Sequence, residues 1–262
     1  AAFTFLLKEH FEHKYKDEPN LRMVHDRLVM YSRELIYVER EGVRFDLDYN
    51  AQLYAQFDEQ LKPLEMQMVE LGLLNPRSPK QVKEWFESNG LILPDTTEDT
   101  LKNLYERRRD IGLLGLLLEH RKAQKSFSTY VKGLRKRVYE DRIYSTFLLH
   151  GSVTGRTASR NPNLQNITRG VVLRKQFIPD SGNVFVQADY GQIELRVAAL
   201  EAQDEYLIGV FNDPSRDIFD EIGTNIYGSL EAAKRKENRV RTKAYVYGMN
   251  YGREAASIAG EY

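Results

Sequence analysis

The sequence contains no cysteine among its 262 residues. Disulfide bridges, thiolate zinc sites and cysteine nucleophiles are therefore excluded. It also lacks any apolar run near the roughly 18 residues that a membrane-spanning helix needs, so we expect no membrane partner. Net charge is absent as well, because 38 basic residues balance 38 acidic ones. What is present, 42% hydrophobic and 29% charged residues, is typical of one large or two ordinary globular domains.

The neutral total conceals a strongly basic middle segment. Between Lys102 and Lys175 there are 17 basic and five acidic residues, a net charge of +12 that the rest of the chain balances. Such a segment favours a polyanionic partner, because each neutralised phosphate releases counterions. A solvated helix face explains the charge alone equally well.

The first half of the chain has the apolar spacing of helices, and the second half mixes turns, strands and helices. Gly42 and Ser78 predict a helix end and a helix start. The predicted segments are helices over 21–41, 49–73 and 80–88, an extended stretch over 43–46, and one long or broken helix over 98–138. Further on we predict irregular backbone over 151–160, strands over 171–178 and 184–188, and helix from 195.

An acidic residue follows the second predicted strand. Asp189 ends that strand and precedes a glycine-containing turn into a helix, a position at a sheet edge where Mg²⁺ could meet its carboxylate. The alternative is an acid that caps the helix beginning near Gln192. For an isolated segment of this kind the cap is the more common outcome.

A second pattern repeats every four residues. Arg239, Lys243, Tyr247 and Tyr251 would form a stripe about 18 Å long on one helix face. Cations that neutralise a triphosphate, followed by rings that pack against sugar and base, suit a nucleotide. An amphipathic helix with buried tyrosines is the alternative. Gly248 inside this helix suggests close approach of a ligand or template base.

A third segment, residues 151–167, combines hydroxyls, amides and two arginines in irregular backbone. These groups are typical of contacts to phosphates and minor-groove base edges, although they could also satisfy one another within a loop. The adjoining basic helix at 119–130 favours contact with a duplex.

The three segments, in this order, resemble the signatures of the family A DNA polymerases, the group of bacterial DNA polymerase I and related phage replicases. Asp189 to Arg196 matches the family's motif A except at Gly191, and Arg239 to Gly252 matches its fingers helix throughout. Further similarity lies in Thr154–Arg156, in Asn161–Ile167 and, more weakly, at 39–43 and 78–82.

The resemblance implies an α+β fold: a right-hand polymerase fragment of thumb, palm and fingers, mainly helical with a small antiparallel palm sheet. Residues 1–20 would be the tail of an upstream 3′-5′ exonuclease-like domain, and 21–148 the palm entry and helical thumb. Residues 149–200 would be the palm with motif A, and 201–262 the start of the fingers with the nucleotide-binding helix.

The resemblance also implies site residues. Asp189, with the backbone of Tyr190, would hold two Mg²⁺ ions, and Asp189 and Lys243 would be catalytic. Glu194, acting with a fingers tyrosine, would exclude a ribose 2′-hydroxyl. The implied dNTP-binding residues are Gln192, Glu194, Arg239, Lys243 and Tyr247. The implied template and primer contacts are Tyr251, Arg156, Thr154, Asn163, Gln165 and Asn166, with Arg121, Lys122 and Lys125 on the thumb.

The sequence departs from the family pattern at two places. The family usually carries Asp-Ile-His before the fingers helix, where the histidine touches the triphosphate, but this chain has Asp217-Ile-Phe219. No His-Asp-Glu motif, which supplies the second metal-binding carboxylate, occurs in the sequence. We therefore expect the chain alone to be catalytically incomplete. Its partners would be primer-template DNA, dNTPs, and a C-terminal polymerase segment or second chain that carries the missing motif.

Two other functions remain open: a non-catalytic module that binds primer-template DNA, and a fragment of a single-subunit RNA polymerase. Asp189, Glu194, Arg239 and Lys243 argue against the first, because duplex binding alone needs none of them, and Glu194 disfavours the second. Tyr247, where the family has Phe or Tyr, implies ready incorporation of dideoxynucleotides. The expected location is the cytoplasm of a bacterial or phage-infected cell.

Overall fold

The protein is described by a computed structural model that covers residues 2–168 and 170–259. The chain divides into two compact units between Phe185 and Val186. Both are mainly helical, and every strand in the described residues belongs to the first unit. This architecture confirms the predicted α+β class with small antiparallel sheets.

The first unit contains eight helices and six short strands in its described part. The helices are α1 (Ala2–Asp17), α2 (Pro19–Glu41), α3 (Leu47–Glu70), α4 (Pro79–Ser88), α5 (Glu98–Arg107), α6 (Gly112–Ser126), α7 (Gly133–Arg135) and α8 (Val171–Arg174), with a π-helical segment, Phe127–Lys132, between α6 and α7. The strands are β1 (Val43–Phe45), β2 (Val138–Tyr139), β3 (Arg142–Ile143), β4 (Thr146–Leu148), β5 (Ala158–Arg160) and β6 (Phe177–Ile178).

Two antiparallel sheets organise the strands. The larger has the order β2-β3-β1-β6, with Val43 opposite Ile143 and Phe45 opposite Phe177. The smaller is a hairpin of β4 and β5, with Phe147 opposite Ser159.

Gly42 joins α2 to the larger sheet as predicted. Its φ is 61°, a conformation that costs glycine little, and its N–H donates to Val38 O at 3.0 Å. A Cβ at this position would lie 2.8 Å from the carbonyl oxygen of Ile143. A side chain at residue 42 would therefore push strand β3 away from the end of the helix.

Helix α3 is shared by two hydrophobic cores. Leu53 and Leu61 belong to a core beneath the larger sheet, and Met68 belongs to a core with α4, α5 and α6. Ser78 caps α4 as predicted, because its hydroxyl accepts from the Gln81 N–H at 3.4 Å. Residues 98–138 were predicted to form one long or broken helix. The structure has the broken form, which is divided into α5, α6, the π-helical segment and α7.

The strands predicted over 171–178 and 184–188 are not both present. Residues 171–178 form α8 and only then the two-residue strand β6, and residues 184–188 have no regular secondary structure. Val184 and Val186 are 80% and 88% exposed. A strand needs a neighbour that accepts its backbone hydrogen bonds, and no described segment pairs with 184–188, so its β-rich composition is insufficient.

The second unit is a group of six helices in its described part: α9 (Ile193–Glu201), α10 (Glu205–Asn212), α11 (Ile218–Tyr227), α12 (Leu230–Lys234), α13 (Lys236–Asn250) and α14 (Ala255–Ala259). Their core contains Leu195, Val210, Ile218 and Phe219. In the described part of the chain, no helix is both long and apolar enough to cross a bilayer.

Candidate active site

The motif around Asp189 is a turn that a helix-borne arginine holds in place. Gln192 has a left-handed φ of 57°, and α9 begins at the next residue. Arg196 on α9 donates from Nε to the Gly191 carbonyl and from Nη1 to the Phe211 carbonyl, each at 2.9 Å. The turn is thus fixed to α10. The space around Gly191 is open, because a Cβ added there would meet no atom within 4 Å beyond its chain neighbours.

Asp189 itself lies on the surface of the second unit. Its side chain is exposed, and no hydrogen bond or ion pair joins it to another described residue. The alternative that Asp189 caps the helix is wrong, because Gln192 occupies the cap position of α9 without a side-chain capping bond. Within residues 2–168 and 170–259, no group of three acidic or histidine side chains is close enough to hold a metal.

Glu194 and Tyr251 are brought together across the helices of the second unit. Glu194 lies in the first turn of α9, and Tyr251 immediately follows α13. The Tyr251 hydroxyl donates a hydrogen bond to Glu194 Oε2. This contact joins the motif helix to the end of the predicted nucleotide-binding helix.

The predicted helix over the four-residue repeat is present as α13. Arg239, Lys243 and Tyr247 lie on it, and Tyr251 occupies the position after its last turn. Four-residue spacing places the first three side chains on one face. The predicted stripe is therefore present in part: Arg239, Lys243 and Tyr247 share one face of α13, and Tyr247 is half-buried.

Arg239 is held by two carboxylates. Its Nη2 donates to Asp217 Oδ2 at 2.8 Å, and its Nη1 donates to Asp220. Asp217 also caps α11, because its Oδ1 accepts from the Phe219 and Asp220 N–H groups at 2.9 and 3.1 Å. Burial alone would raise the pKa of Asp217, but the bonds from Arg239 and the backbone outweigh it and hold that pKa below its ordinary value.

Tyr247 and Gly248 both pack against other residues of the second unit. The Tyr247 ring packs against Phe219, with ring centres 5.8 Å apart, and it is half-buried beside the core of the unit. A Cβ on Gly248 would lie 3.2 Å from Ile258 Cδ1, so the close approach at this glycine is made by α14. The contact with Ile258 therefore accounts for a glycine at position 248 without the ligand or template base that the sequence suggested.

Sequence reasoning missed Asp217 and Asp220 as partners of Arg239. An aspartate directly before an apolar helical stretch is a cap signal, and it could have identified Asp217 as the start of α11. No sequence signal pairs either carboxylate with an arginine about twenty residues later, because that contact depends on how α11 packs on α13.

In the first unit, residues 151–167, which were predicted to contact DNA, form the tip of the β4–β5 hairpin, strand β5 and the turn after it. The prediction of irregular backbone over 151–160 is wrong at its end, because Ala158–Arg160 pairs with β4. Thr154 and Arg156 lie at the exposed tip, where the Ser152 hydroxyl is 2.7 Å from Thr154 Oγ1. Asn163 Oδ1 accepts from the Ser159 hydroxyl and the Gln165 N–H, both at 3.1 Å.

Gln165 has a contact within this loop, and Asn166 has one with the π-helical segment. Gln165 Nε2 donates to Thr157 Oγ1 at 3.1 Å, and the Asn166 carbonyl accepts from the Tyr130 hydroxyl at 2.6 Å. The side-chain amides of Asn163 and Gln165 are therefore bonded to hydroxyl and backbone groups of the same loop, in agreement with the open alternative for this segment.

The three basic residues that were predicted to contact DNA from the thumb lie on α6. Lys122 and Lys125 are exposed, and Arg121 is half-buried with its guanidinium donating to the Thr96 carbonyl. Burial lowers the pKa of Arg121 more than the nearby Glu98 raises it. Arg121 and Lys125 line an open cavity of ≈ 440 Å³ that also reaches His120.

His120 was not predicted to matter. It is 1% exposed, and its Nε2 lies 2.9 Å from Glu65 Oε1, which also accepts from Arg77. In the described part of the chain, His120 Nδ1 and Gln124 Oε1 are buried without a hydrogen-bond partner.

The structure therefore collects the predicted residues in two groups. Asp189, Tyr190, Gln192, Glu194, Arg239, Lys243, Tyr247 and Tyr251 belong to the second unit, and Arg121, Lys122, Lys125, Thr154, Arg156, Asn163, Gln165 and Asn166 belong to the first. Their catalytic and binding roles remain predictions.

Comparison with known proteins gives consistent matches. The family model described as DNA polymerase family A matches residues 47–262. DNA polymerase I of Caldicellulosiruptor bescii is 32% identical over 235 residues, which are 83% of this chain and 27% of that protein. DNA polymerase I of Helicobacter pylori strain 26695 is 34% identical over 259 residues, or 94% of this chain and 28% of that protein.

A solved structure also matches. It is the POL domain of Pol1 from M. smegmatis in complex with DNA primer-template and dNTP, with a TM-score of 0.74 and 30% sequence identity. The match covers 87% of this chain and 43% of that one. The chain spans less than a third of the length of the curated relatives named above.

Proposed function

The chain belongs to DNA polymerase family A, and we propose that it forms part of a template-directed DNA polymerase that adds deoxynucleotides to a primer 3′-hydroxyl. Its α+β fold is that of a right-hand polymerase fragment, mainly helical with small antiparallel sheets. The observation that carries the proposal is the face of α13, where Arg239 and Lys243 precede Tyr247 and the Tyr251–Glu194 contact.

In this proposal the domains follow the predicted order. Residues 1–20 are the tail of an upstream exonuclease-like domain, and 21–148 are the palm entry and thumb. Residues 149–200 are the palm with motif A, and 201–262 are the start of the fingers. Polymerase activity of this kind would take place in the cytoplasm of a bacterial or phage-infected cell.

The incoming dNTP would bind to the second unit. Arg239 and Lys243 would neutralise the triphosphate, since a guanidinium and an ammonium one turn apart offer several charge-assisted hydrogen bonds. Tyr247 would stack on the nucleotide, and Gln192 would contact it from the motif turn. Tyr251 would occupy the template-side stacking position.

The hydrogen bond between Tyr251 and Glu194 would close the sugar side of the site. A ribose 2′-hydroxyl placed there would meet the Tyr251 ring and a Glu194 oxygen that already accepts from the Tyr251 hydroxyl. Selection against ribonucleotides would therefore come from a clash together with an unpaired polar group.

Asp189 fits one Mg²⁺ better than two. Mg²⁺ binds through one or two carboxylates together with substrate phosphates, and Asp189 is exposed without a competing donor in the described residues. Two ions, with the Tyr190 carbonyl as a further ligand, would need another carboxylate, for which no acidic cluster exists in the described part. Bound magnesium would stabilise the charges of phosphoryl transfer.

The catalytic role proposed for Asp189 and Lys243 therefore requires a segment or second chain that carries the His-Asp-Glu motif. The chain without it is expected to bind nucleotide without extending a primer. A non-catalytic DNA-binding module and an RNA polymerase fragment are the competing functions.

The primer-template duplex would bind to the first unit. Arg121, Lys122 and Lys125 would contact phosphates from α6, and Arg156 and Thr154 would approach the minor groove from the hairpin tip, with Asn163, Gln165 and Asn166 behind them. Affinity for the duplex should fall steeply as salt increases, because these contacts release counterions.

Calorimetric titration of the chain with a dNTP and Mg²⁺ tests the proposal. We expect saturable binding that Lys243→Ala abolishes or weakens at least about ten-fold, as for loss of a charge-assisted contact. Arg241→Ala is the matched control, because Arg241 lies on another face of α13 and pairs with Glu237. Duplex binding without nucleotide binding would favour the DNA-binding module. Tighter binding of ribonucleotides than of deoxynucleotides would favour the RNA polymerase.

A further inference from the structure

Phe219 replaces the histidine that the family pattern places before the fingers helix. A histidine there would donate a hydrogen bond to a phosphate, and a phenyl ring has no donor. The substitution therefore removes one contact, and the surroundings of the ring indicate what it does instead.

The Phe219 ring lies beneath both triphosphate-binding cations. Its centre is 5.8 Å from Arg239 Cζ and 5.3 Å from Lys243 Nζ, and Phe219 is only 3% exposed. The electron-rich face of an aromatic ring attracts cations at these distances. A single buried ring thus contacts charges from two consecutive turns of α13.

This contact matters most for Lys243. Arg239 has Asp217 and Asp220 as partners. No carboxylate in the described residues lies within ion-pair distance of Lys243, which leaves the ring as its attractive neighbour. Two like charges one turn apart repel each other, so without such a neighbour the ammonium would move away.

An aromatic face differs from a carboxylate in one important respect. It attracts a cation without accepting a hydrogen bond, so the N–H donors of Lys243 stay available to phosphate oxygens. The Tyr247 ring also packs against the Phe219 ring, with ring centres 5.8 Å apart, and limits the movement of Phe219.

We infer that Phe219 is a positioning residue for triphosphate binding: its ring holds Lys243 and Arg239 in place by cation–π attraction and substitutes for the missing histidine contact. The inference rests on the proposed function, because it assumes that these two cations bind the triphosphate.

The test replaces Phe219 by phenylalanines with increasing numbers of ring fluorines, which keep the shape of the ring and weaken the charge on its face. Affinity for inorganic tripolyphosphate, measured by calorimetry on the whole chain, should fall stepwise with each fluorine. Phe219→Leu should lower it about five-fold, and Phe219→Tyr, which keeps the ring, should restore most of it.

Phe211 provides the matched control, since its ring lies 4.8 Å from Arg196 Cζ and away from the proposed triphosphate cations in sequence. Fluorination of Phe211 should leave tripolyphosphate affinity unchanged. Thermal unfolding of every variant identifies any change that reflects folding.

The outcomes separate this inference from the proposed function. If the parent chain binds neither tripolyphosphate nor dNTP, both are overturned. If the parent binds and the folded fluorinated chains bind equally well, the role of Phe219 is overturned and the nucleotide site stands. A stepwise loss restricted to position 219 supports both.

Discussion

Replacing Asp217 by asparagine should change stability and nucleotide affinity in opposite directions. The new side chain could still cap α11, because asparagine and aspartate are both strong capping residues, so the substitution removes mainly the charge next to Arg239. The side chains of Asp217 and Arg239 are each about one-third exposed. The contribution of this ion pair to stability should therefore be near the upper end of the range for surface pairs. We expect the free energy of unfolding to fall by about 1 kcal/mol.

The affinity effect has the opposite sign because the carboxylate competes with phosphate for the same guanidinium. Asp217 Oδ2 lies 2.8 Å from Arg239 Nη2. A phosphate oxygen bound on the other side of the Arg239 guanidinium would be about 6 Å from the Asp217 carboxylate. Two like charges at that distance repel by about 1 kcal/mol when the dielectric constant lies between those of protein and water. Salt reduces this repulsion, so tripolyphosphate should bind about two- to five-fold more tightly to Asp217→Asn.

Urea unfolding and calorimetric titration of one preparation measure both quantities. Asp213→Asn is the control, because Asp213 accepts from Ser215 and has no contact with Arg239, yet it changes the net charge equally. Weaker tripolyphosphate binding by a stably folded Asp217→Asn chain would refute the competition. In that case the carboxylate would have to orient Arg239 productively.

Three further predictions address packing, titration and substrate choice. Gly223→Ala should destabilise the second unit by about 1–3 kcal/mol in urea unfolding, because the new Cβ would lie 2.9 Å from Ala233 Cβ. Gly209→Ala, in a helix with room for a methyl group, should not destabilise it. Hydrogen bonds from two hydroxyl groups and one backbone N–H lower the pKa of Asp95 to about 2. The stabilising contribution of the Asp95 carboxylate should therefore be complete above about pH 4 and lost as pH falls towards 2. NMR titration of this carboxyl group measures the midpoint, and a midpoint near 4 would contradict the effect of these hydrogen bonds. In an assembly that extends primers, Tyr247→Phe should terminate less efficiently than the parent with dideoxynucleotides, and equal termination would disprove the role of this hydroxyl.

Local signals were sufficient for two of the helix boundaries that the sequence predicted, whereas the predicted limits of α3, 49–73, differ from the observed Leu47–Glu70. Gly42 ends α2 and Ser78 starts α4, because a left-handed turn and a side-chain cap depend on only a few neighbouring residues. The stripe on α13 was predictable for the same reason, since four-residue spacing determines a shared helix face.

Contacts between segments that are distant in the sequence could not be predicted from such local signals. Residues 184–188 have strand composition, but a strand exists only beside another strand, and none of the described segments pairs with it. The Arg239 contacts with Asp217 and Asp220 depend on how α11 packs on α13. The internal bonds of Asn163 and Gln165 likewise follow from the hairpin, not from the amide content of the loop.

A crystal structure of the chain with Mn²⁺ and a dNTP tests the central claim most directly. We predict anomalous density for the metal next to the Asp189 carboxylate and triphosphate oxygens in contact with Arg239 and Lys243. A nucleotide bound elsewhere, or a metal site that excludes Asp189, would contradict the assignment of the second unit as the nucleotide-binding part of a polymerase.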